Sequence, residues 1–199
     1  MTRPAPRLPA SERRTQLLHA TRCVVDRGGY STLTMEAVAR EANVTKPVVY
    51  SAFANRDDAM TRLLEVEGAR VVAEISAAIE FAAHGRSPQN LGEMVVLGLD
   101  RVLDIVCQQP QRYRLILIGV HGSPREVREA IDEGRRILTA QVAAVIGRAP
   151  ALARTDVELL ATMLVALGEH AATLVLTEPE HFGPARFKDA LQALLSAAC

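Results

Sequence analysis

The chain has 199 residues, of which 49% are hydrophobic and 23% are charged, and its formal net charge is zero. This balance excludes a disordered tail, a collagen-like fibre and a low-complexity chain, because those classes lack the apolar residues that a globular core needs. The charge is unevenly divided, since residues 1–56 carry 9 Lys or Arg and 4 Asp or Glu, whereas residues 57–199 carry 14 and 19. The basic first part is suited to a polyanion, and the acidic remainder is not.

The cysteines and the N-terminus indicate the cellular compartment. Cys23, Cys107 and Cys199 are widely spaced and form no C-x-x-C pair, so the sequence predicts neither a disulfide framework nor a zinc module. The first nine residues hold three prolines and lack the apolar run of a signal peptide. No stretch is expected to reach the roughly 18 apolar residues of a membrane span. We therefore expect a cytoplasmic protein with no membrane segment, no metal and no cofactor.

The first predicted helix follows a Pro-rich arm, begins at Ser11 and ends at Gly28-Gly29. Four arginines lie in or beside the arm, namely Arg3, Arg7, Arg13 and Arg14. They form either a disordered basic arm or contacts to a nucleic-acid backbone or minor groove, as N-terminal arms do. The sequence favours neither alternative.

Two short helices are predicted next. Thr34 is placed to cap the first of them, which has barely two turns. Asn43 stands at the break, where a left-handed backbone is expected because Asn tolerates that conformation better than most non-glycine residues. Thr45 is expected to cap the second, which carries Pro47 in its first turn and runs to about Phe53.

The rest of the chain has helical periodicity and no alternating strand pattern. Helices are predicted near residues 57–83, 88–108, 111–118, 125–148, 155–177 and 184–197, separated by breaks that contain Gly or Pro. The expected fold class is therefore all-α. Three parts are predicted: a flexible basic arm (residues 1–10), an N-terminal segment (residues 11–56) and a C-terminal segment (residues 57–199).

Residues 34–53 give two short helices around a tight turn, the geometry that places a second helix in a DNA major groove. Val44, Val49 and Phe53 are predicted to face the core, which leaves the opposite face for DNA. The expected contacts come from hydroxyls and amides at helix starts, cations, a phenol and small apolar groups: Thr34, Thr45, Lys46, Pro47, Val48, Tyr50, Ser51 and Arg56. The third helix has no outward Arg for guanine, so DNA shape and phosphate contacts are expected to supply much of the affinity.

Several groups of residues in this region carry a family resemblance: Gly29-Tyr30, Leu33-Thr34-Met35, Val38-Ala39, Ala42-Asn43-Val44-Thr45-Lys46, Tyr50-x-x-Phe53 and Asn55-Arg56-Asp57. With them, the first 60 or so residues resemble the DNA-binding domain of the TetR family of bacterial transcriptional repressors. The chain departs from the usual pattern at Asn43, where the family usually has Gly, and at Arg56, where it usually has Lys. Both departures are chemically compatible with the resemblance.

The resemblance implies an all-helical homodimer whose N-terminal helices bind a palindromic operator and whose C-terminal part binds a small molecule that spreads the two DNA-binding units. A two-fold dimer would place its recognition helices in successive major grooves about 34–36 Å apart. The expected function is therefore a sequence-specific repressor that a small hydrophobic effector releases from its operator. Repression and activation are not separated by the sequence.

The last two helices are predicted to form the dimer interface, as four helices about a two-fold axis. One carries a stripe of mainly small residues and the other a broad apolar face: Ala161, Leu164, Gly168, Ala172, Val175, Phe187, Leu191, Leu194 and Leu195. The alternative is that both faces are buried inside one chain.

The predicted effector site rests on polar groups set in apolar helices, which mark either a binding cavity or a satisfied core network. Asp100 and Asp104 lie one turn apart, so one of them is expected to face a cavity or to pair with Arg101 or Arg112. Aromatic residues are few, which favours an aliphatic pocket for a lipid-like compound over an aromatic cage. The candidates are Met94, Leu97, Asp100, Asp104, Tyr113, Leu117, His121, Met163 and His170.

Three other functions were weighed. An enzyme is disfavoured because residues 119–124 hold His121 and Ser123 without a G-x-S-x-G elbow. A metal sensor is disfavoured because no spacing places two ligands on one helical face among His121, His170, His181, Cys107 and Glu169. A DNA-binding regulator without an effector, acting through protein partners or as an architectural factor, is the main alternative.

Overall fold

A computed structural model describes residues 8–118 and 125–197 of the chain, and within these ranges every long regular element is an α-helix. The helices are α1 (Ala10–Gly28), α2 (Met35–Glu41), α3 (Lys46–Tyr50), α4 (Arg56–Ala83), α5 (Leu91–Gln108), α6 (Pro110–Leu117), α7 (Arg125–Ile146), α8 (Val157–Thr177) and α9 (Pro184–Ala197). Short 3₁₀ turns at Tyr30–Thr32, Pro88–Asn90 and Pro150–Leu152 lie between them. The all-α prediction is confirmed, and the residues of the predicted arm up to position 7 lie outside the described ranges.

The predicted helix bounds agree with the structure to within a few residues, with one informative difference at α3. The α-helix ends at Tyr50 instead of near Phe53, because the amide of Ala52 bonds to the carbonyl of Val49 at 3.0 Å and the backbone tightens into a turn. The last predicted turn of this helix is therefore present only as a turn that carries Phe53 back to the core.

The hydrophobic core of the N-terminal segment is shared with the start of α4. Leu17, Val38, Val49 and Phe53 are almost fully buried, and Met60 of α4 packs into the same cluster. Helix α4 then continues without interruption into the C-terminal segment, where it packs against α5, α6 and α7. The two segments are therefore joined by one rigid helix as well as by side-chain packing.

The start of α4 is fixed by two reciprocal hydrogen bonds. The side chain of Asn55 accepts from the amide of Asp58 at 2.9 Å, and the carboxylate of Asp58 accepts from the amide of Ala54 at 2.9 Å. These bonds satisfy amides that the helix itself leaves without partners. They set the angle at which α4 leaves the N-terminal segment.

Helix α8 differs from the others in composition. By length and hydropathy alone it is apolar enough to cross a membrane, and 28% of its most apolar window is buried within this chain. A core helix of a soluble protein passes the same test when a partner covers its outer face. The expectation that no stretch reaches this composition was therefore wrong for α8. Much of the apolar surface of α8 is not covered by other parts of this chain.

A buried carboxylate joins three helices. Glu67 of α4 is only 4% exposed, and its Oε2 atom accepts from Nε of Arg112 in α6 at 2.7 Å. Its Oε1 atom accepts from Arg70 at 3.0 Å and lies 4.0 Å from the guanidinium of Arg22 in α1. The N-terminal segment is thus tied to α4 and α6 through one charged group.

A second carboxylate two turns further along α4 completes the cluster. Glu74 accepts from Arg112, from Gln109 at 3.1 Å and from the hydroxyl of Tyr113 at 3.1 Å. Burial, followed by the nearby Glu74 carboxylate, raises the pKa of Tyr113 well above its usual range. Tyr113 is therefore a neutral hydrogen-bond donor across the physiological pH range.

We predict that Glu67→Gln lowers the free energy of unfolding by about 2–4 kcal/mol, because it removes the buried carboxylate that pairs with Arg112, Arg70 and Arg22 and leaves Glu74 as the remaining carboxylate partner of Arg112. Urea unfolding at a fixed protein concentration measures this effect. Glu93→Gln is the matched control, since Glu93 forms an exposed pair with Arg86 at 3.4 Å, and it should change stability by less than about 0.5 kcal/mol. Equal stability of the two variants would contradict the assigned role of Glu67.

Candidate DNA-binding surface, cavity and outer helical face

The turn between α2 and α3 has the predicted geometry. Asn43 has a φ of 52°, and it is the one non-glycine residue with positive φ among the described residues. The amide of Val44 bonds to the carbonyl of Ala39 at 2.9 Å, which closes the end of α2. The left-handed conformation predicted for Asn43 is confirmed, and it sets the angle between the two helices.

The two faces of α3 are also as predicted. Val49 and Phe53 point into the core, and Val44 packs against it. On the opposite side the ring of Tyr50 is 55% exposed, and Lys46, Pro47 and Ser51 are exposed with it, whereas Val48 is half-buried. Thr34, Thr45 and Arg56 are exposed at the starts of α2, α3 and α4. The structure thus leaves seven of the eight predicted DNA-contact residues open, five of them at helix starts and two, Tyr50 and Ser51, at the end of α3; the contacts themselves stay a prediction.

The hydroxyl groups of this surface differ in how much hydrogen-bonding capacity they have left for DNA. The oxygen of Thr34 accepts from the amide of Ala37 at 3.0 Å, as predicted for a cap. The hydroxyl of Ser51 donates to the carbonyl of Val48 at 2.7 Å, so only its lone pairs are left for a base edge or a phosphate-bound water.

The expectation that the Thr45 side chain caps α3 was wrong. Thr45 has the backbone conformation of a cap residue but makes no side-chain hydrogen bond to the helix. A capping side chain bonds to the second or third helical amide. Pro47 has no amide, and the amide of Val48 is taken by the carbonyl of Thr45 at 3.0 Å. The Thr45 hydroxyl is consequently left to face outward.

The charged groups of this surface are paired. Nζ of Lys46 lies 2.9 Å from Oε2 of Glu36 in the first turn of α2. The hydrogen bond from Lys46, together with its charge, lowers the pKa of the Glu36 carboxyl. Glu36 was missed at the level of sequence, although it follows the predicted cap Thr34 by two residues and is exposed in the first turn of α2.

Arg56 belongs to a separate aromatic cluster. Its guanidinium lies over the ring of Tyr30, 5.1 Å from the centroid, and its Nε atom is 3.5 Å from the carboxylate of Asp57. The Tyr30 hydroxyl donates to the same carboxylate. These contacts hold a half-exposed cation at the start of α4.

The predicted basic arm is described only in part. Arg13 donates to Gln16 at 2.6 Å, and Gln16 in turn donates to the carbonyl of Ala42 at 3.0 Å, which ties α1 to the end of α2. Arg14 is exposed. Arg3 and Arg7 lie outside the described residues, as does the stretch 119–124 with His121 and Ser123.

The C-terminal segment encloses a cavity of about 900 Å³ between α4, α5, α6, α7 and α8. This volume is in the range of small-molecule sites, and aliphatic side chains supply most of the wall. They include Ile75, Ile79, Val102, Ile131 and Val142. Sequence analysis named no residue of α4 or α7 here, although the apolar stripe of α7 was a usable signal.

Four of the predicted effector residues line the cavity: Met94, Tyr113, Leu117 and His170. Met94 and Tyr113 are buried, whereas His170 is exposed and therefore lies at the rim. Two polar groups of the wall are already paired, since Tyr113 bonds to Glu74 and the rim residue Arg135 bonds to Glu169 at 2.9 Å. The interior is therefore suited to the apolar part of a ligand.

The other described candidates do not line the cavity, and the prediction was wrong for them. Leu97, Asp100 and Asp104 lie on the opposite side of α5, because its cavity face is set by Met94, Gly98, Val102 and Val106. Asp100 pairs with Lys188 of α9 at 2.8 Å, and not with Arg101 or Arg112. Met163 points outward from α8 and is 60% exposed.

The predicted dimer face of α8 and α9 is corrected in a similar way. Ala161, Ala172 and Val175 are buried inside the chain. Leu164, Gly168 and Leu191 line the cavity, Phe187 packs against the core, and Leu195 packs on Gly92 of α5. Among the predicted interface residues, all within the described ranges, Leu194 is the one with an exposed side chain, at 66%.

The outward apolar surface of α8 is instead formed by a different row of residues, next to the buried row that was predicted to form the interface. We call it the outer stripe; it consists of the exposed residues Leu159, Met163 and Leu167 of α8 with Leu194 of α9, and Leu167 also belongs to the cavity wall. Spacings of four residues place the α8 members in one row. The small residues of α8 pack against other helices of the same chain. The sequence alone could not distinguish this packing from packing against a second chain.

Two protein-family models match this chain. The model described as bacterial regulatory proteins of the tetR family matches residues 17–63, and the model described as Tetracyclin repressor-like, C-terminal domain, matches residues 91–198. The second match alone spans more than half of the chain.

Similar proteins are found by sequence and by structure. The HTH-type transcriptional activator FasR of Mycolicibacterium smegmatis is 27% identical over 167 residues, which are 83% of this chain and 73% of FasR. A transcriptional regulator from Pseudomonas aeruginosa PAO1 superposes with a TM-score of 0.78 at 19% identity, covering 96% of this chain and 92% of that one. The transcriptional regulator FadR from Bacillus subtilis, solved in complex with stearoyl-CoA, gives a TM-score of 0.71 at 15% identity over 91% and 96% of the two chains.

We predict that Val102→Phe weakens binding of the neutral apolar dye Nile red by at least about fivefold, because the added ring occupies volume inside the cavity. Fluorescence titration gives the dissociation constant. Val66→Phe on the exposed side of α4 is the matched control and should leave it unchanged. Equal dye affinity of all three proteins, with unchanged melting temperatures, would show that the cavity is not the binding site.

Proposed function

The chain belongs to the TetR family of bacterial regulatory proteins, and we propose that it is a homodimeric repressor whose operator binding is relieved by a hydrophobic effector in the cavity. Family membership makes it a DNA-binding transcriptional regulator. That it acts as a dimer, binds a small molecule and works in the cytoplasm is part of the proposal. The observation that carries the finer proposal is one continuous core, with the DNA-facing helices at one end and an apolar cavity at the other.

The DNA-facing surface supplies the chemistry of backbone contacts at both ends of α3 and at the start of α4. Thr45 offers a free hydroxyl, Tyr50 an exposed phenol and Arg56 a positioned cation. Such groups fix the position of a protein on a duplex, and base-edge contacts from the same helix then discriminate sequence. Helix α3 is short enough for its whole outer face to enter one major groove.

The outer stripe supports dimerisation through α8 and α9. Three large apolar side chains exposed in one row of α8 are unusual on a monomer and indicate a surface that a partner covers. A second copy of this chain fits best, because a two-fold axis brings the same stripe onto itself and forms four packed helices. This arrangement also explains why α8 is apolar on its uncovered side.

The effector proposed here is a compound with a long or bulky apolar part. The cavity is large and mostly aliphatic, and its wall groups Tyr113 and Arg135 are paired within the chain. FadR from Bacillus subtilis, which shares the fold, binds stearoyl-CoA, and long-chain acyl compounds are therefore the first class to test. A charged end group would have to lie at the rim near His170, where the cavity meets solvent.

A physical connection between cavity and DNA surface runs through α6. Tyr113 forms part of the cavity wall, and the neighbouring Arg112 holds Glu67, which lies within 4.0 Å of Arg22 in α1. A ligand that binds better when α6 is displaced would therefore shift α4 and α1 together. Release from DNA then follows from the difference in ligand affinity between the two arrangements.

The effector-free alternative makes a different prediction. If the cavity has no regulatory role, a ligand that saturates it leaves duplex affinity unchanged, even though it stabilises the protein against heat. FasR is named an activator, so a promoter fusion in cells that carry or lack this protein is needed to assign the sign of regulation. Lower reporter output with the protein present supports repression.

We predict that Tyr50→Phe and Arg56→Ala each weaken binding to operator and to unrelated duplexes alike, by about three- to tenfold, because the lost contacts are to phosphate. Fluorescence anisotropy at several salt concentrations measures both affinities. Only Arg56→Ala removes a charge, so only it should make the salt dependence shallower, by about one phosphate contact. Lys188→Ala, which removes a cation on α9, is the control. A loss of DNA affinity equal to that of Arg56→Ala would contradict the assigned surface.

We predict that Met163→Glu combined with Leu194→Glu gives monomers at micromolar concentration, because charges on the outer stripe cannot be buried unpaired in a two-fold interface. Sedimentation velocity reports the state, and circular dichroism checks that the helices persist. Phe81→Glu is the matched control, since Phe81 is exposed on α4 away from the stripe. A dimer that survives the double substitution would place the interface elsewhere.

A further inference from the structure

An acidic residue sits on the DNA-facing side of α2, where a negative charge is unfavourable next to phosphate. Glu36 lies in the first turn of α2, and its side chain is 61% exposed. Its Oε2 atom is 2.9 Å from Nζ of Lys46, the first residue of α3, whose side chain is 53% exposed. The pair bridges the two helices across the tight turn at Asn43.

The ion pair changes what Lys46 can contribute to duplex binding. A lysine that contacts phosphate releases condensed counterions, and each such contact steepens the salt dependence of binding by about one unit. Lys46 must leave Glu36 to make this contact, and the carboxylate then faces the phosphate backbone uncompensated. As a pair, the two residues add no net charge to the surface.

The major groove offers one way to compensate the carboxylate. Cytosine presents its N4 amino group there as a hydrogen-bond donor, and Glu or Asp side chains accept from it. Adjacent to it, guanine presents acceptors that a lysine can reach. Both side chains of the pair can therefore bind bases only where the DNA sequence places a cytosine amino group and guanine acceptors next to the turn between α2 and α3.

We propose that Glu36 is a specificity-determining residue, which withholds Lys46 from phosphates in non-specific complexes and finds a donor only in the operator. This inference rests on the proposed DNA binding by α3. Through Glu36 the protein weakens its binding to the large excess of other sequences, and it does so by charge pairing and not by a steric clash.

The test compares the full chain with Glu36→Gln, which keeps the size and polarity of the side chain but removes its charge. Anisotropy titrations use a non-specific duplex and a duplex selected from a random library, over a range of salt concentrations. Non-specific affinity at about 0.15 M salt should rise about three- to tenfold, with a salt dependence steeper by about one unit. Operator affinity should rise less, because the charge-assisted bond to the base is lost, so the specificity ratio falls.

Two further proteins separate this mechanism from general repulsion. In the Lys46→Ala background no cation is available to be released, so Glu36→Gln should leave the salt dependence nearly unchanged. Glu93→Gln, which removes the same charge from an exposed pair on α5, should change neither affinity. Melting temperatures of all variants confirm that α2 remains folded.

Three results would overturn the proposal. Unchanged non-specific affinity in Glu36→Gln would show that Glu36 does not withhold Lys46. An equal steepening of the salt dependence in the Lys46→Ala background would reduce the effect to general repulsion. Failure of the unaltered chain to bind any duplex would instead overturn the proposed function, and this inference with it.

Discussion

The carboxylate of Glu67 is the point at which the two ends of the molecule are joined. It is almost fully buried, and it is surrounded by guanidinium groups from α1, α4 and α6. A buried charge of this kind is tolerated only when its partners stay in place, because an unpaired charge costs several kcal/mol. Any movement of α6 must therefore move the arginines, the carboxylate or both. The same cluster places Tyr113 in the cavity wall, so the wall and the start of α1 are separated by a few rigid contacts.

The DNA-facing surface and the outer stripe are both positioned by helices that the Glu67 cluster joins directly or through packing. Helix α4 carries Arg56 at its start and the cavity lining further along, so one helix fixes the distance between them. In the proposed dimer, the outer stripe of α8 sets how far apart the two copies of α3 lie. A regulator of this kind needs only a small change in the angle of α4 to lose register with two successive major grooves.

The local features were predictable because short-range rules determine them. Asn43 at a tight turn and the buried row of Val49 and Phe53 follow from backbone preference and helical spacing within about ten residues. Pairings over long sequence distances were not predictable: Asp100 meets Lys188, and Glu67 meets Arg112, across 88 and 45 positions. Helix α8 is apolar on several sides, so periodicity could not tell which side faces α5 and which faces outward. The dimer prediction failed at Ala161 for that reason, while the existence and bounds of α8 were correct.

The most direct test of this account is selection from a random duplex library at about 0.15 M salt, with the unaltered chain and the Lys46→Ala/Tyr50→Ala variant run in parallel. If α3 is the reading surface of a two-fold dimer, the unaltered chain alone enriches one pseudo-palindrome whose half-sites are about one helical turn apart. Enrichment of the same sequence by both proteins would contradict the assignment of α3 as the reading surface. Failure of both to enrich any sequence would contradict sequence-specific binding itself.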